Sequence, residues 1–392
     1  MKIRIEDIEF RERVRLTQEK MKEEQLDLIL AFGNEAEPQY VRYYSDYWPS
    51  FEAAGVLIPA SGEPVLIIGP ESGTYSAYTS RIMKIRKLLV FRESSEPEYP
   101  GAKLDTFVSV IKEVMGDKEL RRFGLAGTCL ITHVIYEAMD EALKQLGNPE
   151  LVKADLLVSK IRAHKSPAEL ACMQEAYRIT TEAMKAVIDT IHPGMTENQI
   201  KGIAMAKIFE EGGEGEAYPF WILSGSDSNQ AISRCRNKTV MPGDMIQIQI
   251  GARYEGYAST MGRAVVVGKA TEEQREMIEA ALAAQTAILN TAKAGVNAGK
   301  VSEALYHVLK ERGYADCILY GPCHGTGLME GEYPWIESDS DYLLEENMTF
   351  CTCVYLGDDS KKIGLRIEDG FVLTAEGTKS FSDYRREVIE IL

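Results

Sequence analysis

Residues 245–263 read MIQIQIGARYEGYASTMGR, two strand-like runs joined by a short polar turn. Gln247 and Gln249 stand two apart and share one strand face, while Ile246, Ile248 and Ile250 take the other. The second run presents Ser259 and Thr260 opposite the amides. A line of amides on one face meets either solvent or a polar cavity inside the protein. The flanking sequence favours the cavity.

Downstream of the hairpin lie three further stretches that converge on one pocket. In YGPCHGTGLMEGEYPW (320–335), the glycines let backbone approach a ligand and set His324 in a tight loop. In NMTFCTCVYLG, Cys351 and Cys353 share a strand face. In GLRIEDGFVLT, Arg366 and Glu368 share a face between alternating apolar residues, which predicts charges paired inward.

Upstream, the first 150 or so residues alternate helix and strand patterns. DLILAFG and FGLAGT read as strands, VLIPASGEPVLIIG as a hairpin, and HVIYEAMDEALKQLG as a helix. Ser166, Pro167 and Glu169 form a capping box that opens a long helix. Thr196–Gln199 and Thr271–Gln274 repeat that signal. Glycines 194 and 212 recur at 295 and 313, predicting a duplicated helix-helix-strand unit around a cleft. The expected class is α/β (α+β), with one domain over 1–157 and a second over 158–392.

Composition excludes several function classes. A formal charge of -16 repels nucleic acid and anionic membrane alike. The opening MKIRIEDIEFRERV has no apolar core, so no secretory leader is expected. No apolar run is long enough for a membrane span. Seven scattered cysteines without CxxC spacing point to reduced thiols in the cytoplasm.

These stretches resemble, in order and spacing, the pita-bread family of prolidase, aminopeptidase P, methionine aminopeptidase and creatinase. PGDMIQIQIGARYEGYASTMGR is similar to GDxxxxDxGxxxxGYxSDxTR, and CHGTGLMEGEYP to GHGxGxxxHExP. NMTFCTCV is similar to GMVFTxEP, GLRIEDGFVLT to GVRIEDxxxVT, and YVRYYSDYWPSFEAAGVLIP to the domain that creatinase and prolidase carry first. The resemblance implies a homodimer. It also implies two metals on two Asp, one His and two Glu. Here Gln249, Thr260 and Cys353 stand at three of those positions, and only His324 and Glu368 match. Gly331 replaces the second His of the HExP segment, although Glu332 remains. Creatinase keeps the fold without metal, but its catalytic His is missing from SGSDSNQAISRCRNKTVMPGD.

The sequence therefore leads to an expectation of no cofactor, with a single zinc on Cys353, His324 and Glu368 as the alternative. The expected activity is metal-independent hydrolysis of a C–N bond in a small carboxylated amide, amidine or guanidino compound. The alternatives are an Xaa-Pro aminopeptidase or dipeptidase with an altered metal site, acting on short peptides, and a ligand-binding pseudoenzyme. His324 or Glu332 is expected to move protons, and Glu368 to orient a donor or pair with Arg366. Gln249 and Thr260 hold the substrate's polar group, and Arg234, Arg263, Arg366 and Asp227 are further binding candidates. Cys353 is a buried small hydrophobe, a nucleophile or a zinc ligand. Glu330 is expected to be a solvated loop charge, and Arg263 equally to bridge strands.

Overall fold

The computed structural model describes residues 3–391. Two compact units divide between Arg162 and Ala163, and the stretch ending at Arg4 belongs to the second. The sequence placed the boundary at 157/158.

The first unit is a six-stranded mixed sheet. Its strands are β1 (Leu28–Gly33), β2 (Ala54–Pro59), β3 (Val65–Ile68), β4 (Ile85–Lys87), β5 (Arg122–Ala126) and β6 (Glu150–Lys153), in the order β4-β3-β2-β1-β5-β6. β2 and β3 pair antiparallel, as the hairpin reading requires. Helices α1 (Asp7–Glu23), α2 (Gln39–Ser45), α3 (Gly73–Thr79), α4 (Phe107–Met115), α5 (His133–Gln145) and α6 (Asp155–Ala163) complete it. Leu28, Leu30, Phe123 and Leu125 pack with Val110 and Met139 to form its core.

The second unit opens with α7 (Pro167–Thr190). Ser166 Oγ accepts from the Glu169 amide at 3.1 Å, and Glu169 Oε2 accepts from the Ser166 amide at 2.9 Å. The same reciprocal cap at Thr196 and Thr271 starts α8 (Glu197–Glu210) and α9 (Glu272–Thr291). Such caps satisfy amides that the helix itself leaves orphaned. α10 (Ala298–Glu311) begins on Asn297. α8 and α10 are both 14 residues long. Gly194 and Gly295 precede them at φ +94° and +86°, so the duplication read from the glycines is present in backbone geometry.

Strands follow each helix pair. The first set is β7 (Gly215–Glu216), β8 (Trp221–Ser224), β9 (Met245–Ile250), β10 (Ala252–Tyr254), β11 (Tyr257–Ala258) and β12 (Met261–Val267). The second is β13 (Cys323–Gly325), β14 (Glu332–Ile336), β15 (Thr349–Asp358), β16 (Ile363–Leu373), β17 (Thr378–Ser380) and β18 (Ile389–Ile391). The main sheet runs β14-β13-β15-β16-β12-β9-β8, with β17 beside β16 and β18 beside β12. Ile246, Ile248 and Ile250 pack with Ile179, Ala183, Ile200 and Ala204 of α7 and α8. Leu365 and Ile367 pack with Ile278, Ala281, Val301 and Leu305 of α9 and α10. Among the described residues no helix is long and apolar enough to cross a membrane.

Candidate active site

The opening strand's amides are not solvated: Gln247 and Gln249 are fully buried. Strand register explains what they meet. Gln249 pairs with Gly262, Gly262 with Glu368, and Glu368 with Cys353, so one row crosses β9, β12, β16 and β15. Directly paired residues in antiparallel strands point to the same face. Gly262 is the gap in that row. A Cβ there would lie 2.4 Å from Gln249 Oε1, so only glycine lets Gln249 and Glu368 meet across it.

Glu368 is the hub, with no solvent exposure. Its Oε2 accepts from Thr260 Oγ1 at 2.7 Å and from Gln249 Nε2. Gln249 Nε2 also donates to Thr260 Oγ1 at 2.9 Å. Two acceptors on that side fix the amide's orientation, leaving Gln249 Oε1 buried without a hydrogen-bond partner. The other carboxylate oxygen, Oε1, lies 2.8 Å from Cys353 Sγ and 3.7 Å from an Arg366 nitrogen. Cys351 Sγ stands 3.7 Å from Oε2. Ser259, by contrast, turns to Thr180 and Ala252 and takes no part.

His324 enters from β13, one strand beyond Cys353. Its Nδ1 faces the Gly325 carbonyl at 3.0 Å and Nε2 faces Glu330 Oε1 at 3.3 Å. Burial disfavours the imidazolium, but Glu330 and Cys353 together outweigh it and hold the His324 pKa well above the ordinary range. For Glu330, burial pulls upward, but His324 and Arg366 together more than offset it, so its pKa is lowered. Burial, then Glu368, pushes the Cys353 thiol up. The ligand atoms of His324, Cys353 and Glu368 all lie within 4.8 Å of one another.

The two glutamates of the loop exchange their expected places. Glu330, read as a solvated charge, is the one beside His324. Glu332, read as the proton carrier, accepts from Lys165 Nζ at 3.0 Å with both side chains buried. Sequence spacing does not reveal this, because Lys165 arrives from 167 residues away.

Arg263 is a second correction. It pairs with Ile248 and so faces away from the row. All five N–H groups are donated within the protein: to Arg385 O, Gly262 O, Glu368 O, Tyr384 O and Asp369 Oδ1. It bridges strands and has no donor left for a substrate. Asp227 is held by Lys238 and Arg236. Arg234 is exposed. Arg366 is buried, donates to the Ala231 carbonyl at 2.6 Å, and sits among Trp221, Tyr320 and Tyr355 at 4.7, 5.5 and 5.6 Å from the ring centroids. Its Nε has no partner. Tyr320 lies 3.3 Å from Cys353 Sγ, and the Tyr218 hydroxyl lies 2.8 Å from Thr260 Oγ1.

The profile described as metallopeptidase family M24 matches residues 171–375, just over half the chain. The chain belongs to metallopeptidase family M24. The M24 unit is preceded by a match to the creatinase/prolidase N-terminal domain over residues 13–164. An Xaa-Pro dipeptidase of Pyrococcus furiosus is 28% identical over 334 residues, which cover 84% of this chain and 90% of that protein. The X-Pro aminopeptidase structure from Thermotoga maritima MSB8 superposes with a TM-score of 0.83 at 25% identity, covering 97% of this chain and 99% of that one. The prolidase of Pyrococcus horikoshii OT3 shares the fold, with a TM-score of 0.82 at 24% identity over 96% of this chain and all of that one. The architecture is thus the pita-bread fold behind a creatinase-type domain, as the resemblance implied.

Membership of a metallopeptidase family, with a buried His324–Cys353–Glu368 group, overturns the expectation of no cofactor. It also removes the support for metal-independent hydrolysis as the main activity. The donor set fits one cation: imidazole, thiolate and carboxylate make three protein ligands with a position left open. It does not fit two, because Gln249 and Thr260 are neutral and already bonded to Glu368.

Proposed function

We propose that this M24 protein hydrolyses the C–N bond of a short Xaa-Pro peptide at an altered metal centre. The observation that carries the reading is the convergence of His324, Cys353 and Glu368 in one buried row of a metallopeptidase-family chain. The names of the relatives support the substrate class. When bound, a divalent cation supplies Lewis-acid polarisation of the scissile carbonyl and an acidified water.

The chain's own residues do the rest. Gly325 O holds His324 Nδ1, which sets the ring's orientation. Gln249 and Thr260 hold Glu368 in one rotamer. Glu330, beside His324 Nε2, is the carboxylate placed to take a proton from water and return it to the leaving nitrogen. Lys165 keeps Glu332 fixed, so Glu332 acts by position. Trp335, tilted over His324 at 5.1 Å and 46% exposed, offers an apolar surface for a proline ring. Arg366, with its unpartnered Nε, and exposed Arg234 are the cations for a substrate carboxylate. A cytoplasmic setting, supported by seven free cysteines, and a homodimer belong to the same proposal.

The test is proline release from a panel of Xaa-Pro dipeptides by the zinc-loaded protein. Release that chelation abolishes and Glu330→Gln reduces is expected. A panel left intact, beside cleavage of small amidines or amides, contradicts the reading.

A further inference from the structure

We propose that the centre is mononuclear and thiolate-ligated: one zinc ion on His324, Cys353 and Glu368, with a second cation shut out by the amide of Gln249. This rests on the reading of the chain as a cation-carrying hydrolase and deepens it by naming the metal and its number.

Donor chemistry comes first. A sulfur, an imidazole nitrogen and one carboxylate oxygen suit zinc, whereas manganese and magnesium prefer sets made of oxygen. Cys353 stands on the central β15 with 5% exposure, so its sulfur is fixed in the row by strand register.

Charge comes next. Around the row stand the Cys353, Glu368 and Glu330 acids and the Arg366 guanidinium. With Cys353 as a metal-bound thiolate and His324 as a neutral ligand, three acids against one guanidinium leave two negative charges, which a single divalent cation neutralises. A second would leave a buried net positive charge without a counter-ion.

Geometry closes the argument. Gln249 Nε2 donates at once to Glu368 Oε2 and Thr260 Oγ1, the two oxygens a neighbouring cation would need. The amide nitrogen occupies the place between them and cannot accept a metal. Its Oε1, buried over Gly262 without a partner, is the acceptor left for the N–H of a ligand or for water.

The experiment uses the full-length, untagged protein, stripped with chelator and titrated separately with zinc, cobalt and manganese ions. Metal is counted by elemental mass spectrometry, and the cobalt form is read by absorption. One zinc per chain is expected, together with a near-ultraviolet thiolate-to-cobalt charge-transfer band. Cys353→Ser, checked for folding by circular dichroism, should lose that band and bind zinc more than about tenfold more weakly. Gln249→Asp should admit a second cobalt. Two equivalents in the unaltered protein, no bound metal, or a band that survives Cys353→Ser overturns the proposal. One zinc per chain without proline release upholds this centre and contradicts the peptidase reading. Proline release by a protein holding two equivalents does the reverse.

Discussion

Glu368 and Asp369 are neighbours on one strand, yet they serve opposite faces of the sheet in opposite ways. Asp369 is clasped by Arg263 at 2.9 Å, Arg386 at 2.8 Å and Gln285 at 3.0 Å. Arg263 has donated every N–H, and only the Gln285 oxygen of that cluster lacks a partner. Glu368 instead faces two thiols, a histidine group and an amide whose oxygen bonds to nothing. A buried polar cluster whose charges are matched within the chain holds strands together. One whose donors converge without matching has room for a ligand.

The comparison can be broken in graded ways. Glu368→Gln should reduce activity by at least about 100-fold and lower zinc affinity, while thermal unfolding stays near that of the unaltered protein. Equal activity in that variant would remove Glu368 from the centre. Arg263→Met should do the opposite. It leaves Asp369 to Arg386 and Gln285, takes the donor from four carbonyls, and costs about 1–3 kcal/mol in denaturant unfolding, with metal content unchanged. Gly262→Ala presses a methyl group onto Gln249 Oε1 and the β16 backbone. An overpacking cost of about 1–3 kcal/mol and a lowered kcat are expected together, since the same row carries both.

The smallest effect concerns pH. Burial raises the Asp227 pKa, but Lys238 and Arg236 pull harder, so the folded value is lowered. A lowered carboxyl pKa stabilises above the ordinary carboxylate range, and that contribution fades as pH falls through the folded value. Asp227→Asn should therefore lower stability at neutral and alkaline pH and flatten the acid side, the two proteins converging as pH falls. The check is a series of melting curves between neutral and acidic pH.

What was legible in the sequence followed from local rules. Three capping boxes and the paired glycines are decided within a few residues, and alternation set Gln247 and Gln249 apart from the isoleucines. His324, Cys353 and Glu368 were found because motif order fixes strand register. Parity was sufficient to reject Arg263 as well: it lies next to Gly262, so it faces the isoleucine side. The roles of Glu330 and Glu332 were out of reach. They depend on an irregular pairing of β13 with β14 and on Lys165, remote in sequence. The cofactor expectation failed for a different reason. Three lost carboxylates weighed towards a metal-free site over the single zinc on Cys353, His324 and Glu368 that the same residues offer, and the family match reverses that order.

The most direct test of the contrast between the two faces is the shift in melting temperature on adding zinc to the stripped protein and to its Cys353→Ser and Arg263→Met variants. A site that binds only the folded chain gains about 2.7 kcal/mol at a hundredfold excess over Kd. The account predicts a clear rise for the unaltered protein and for Arg263→Met from its lower starting point, and little or none for Cys353→Ser. An equal rise in all three, or none in any, would contradict it.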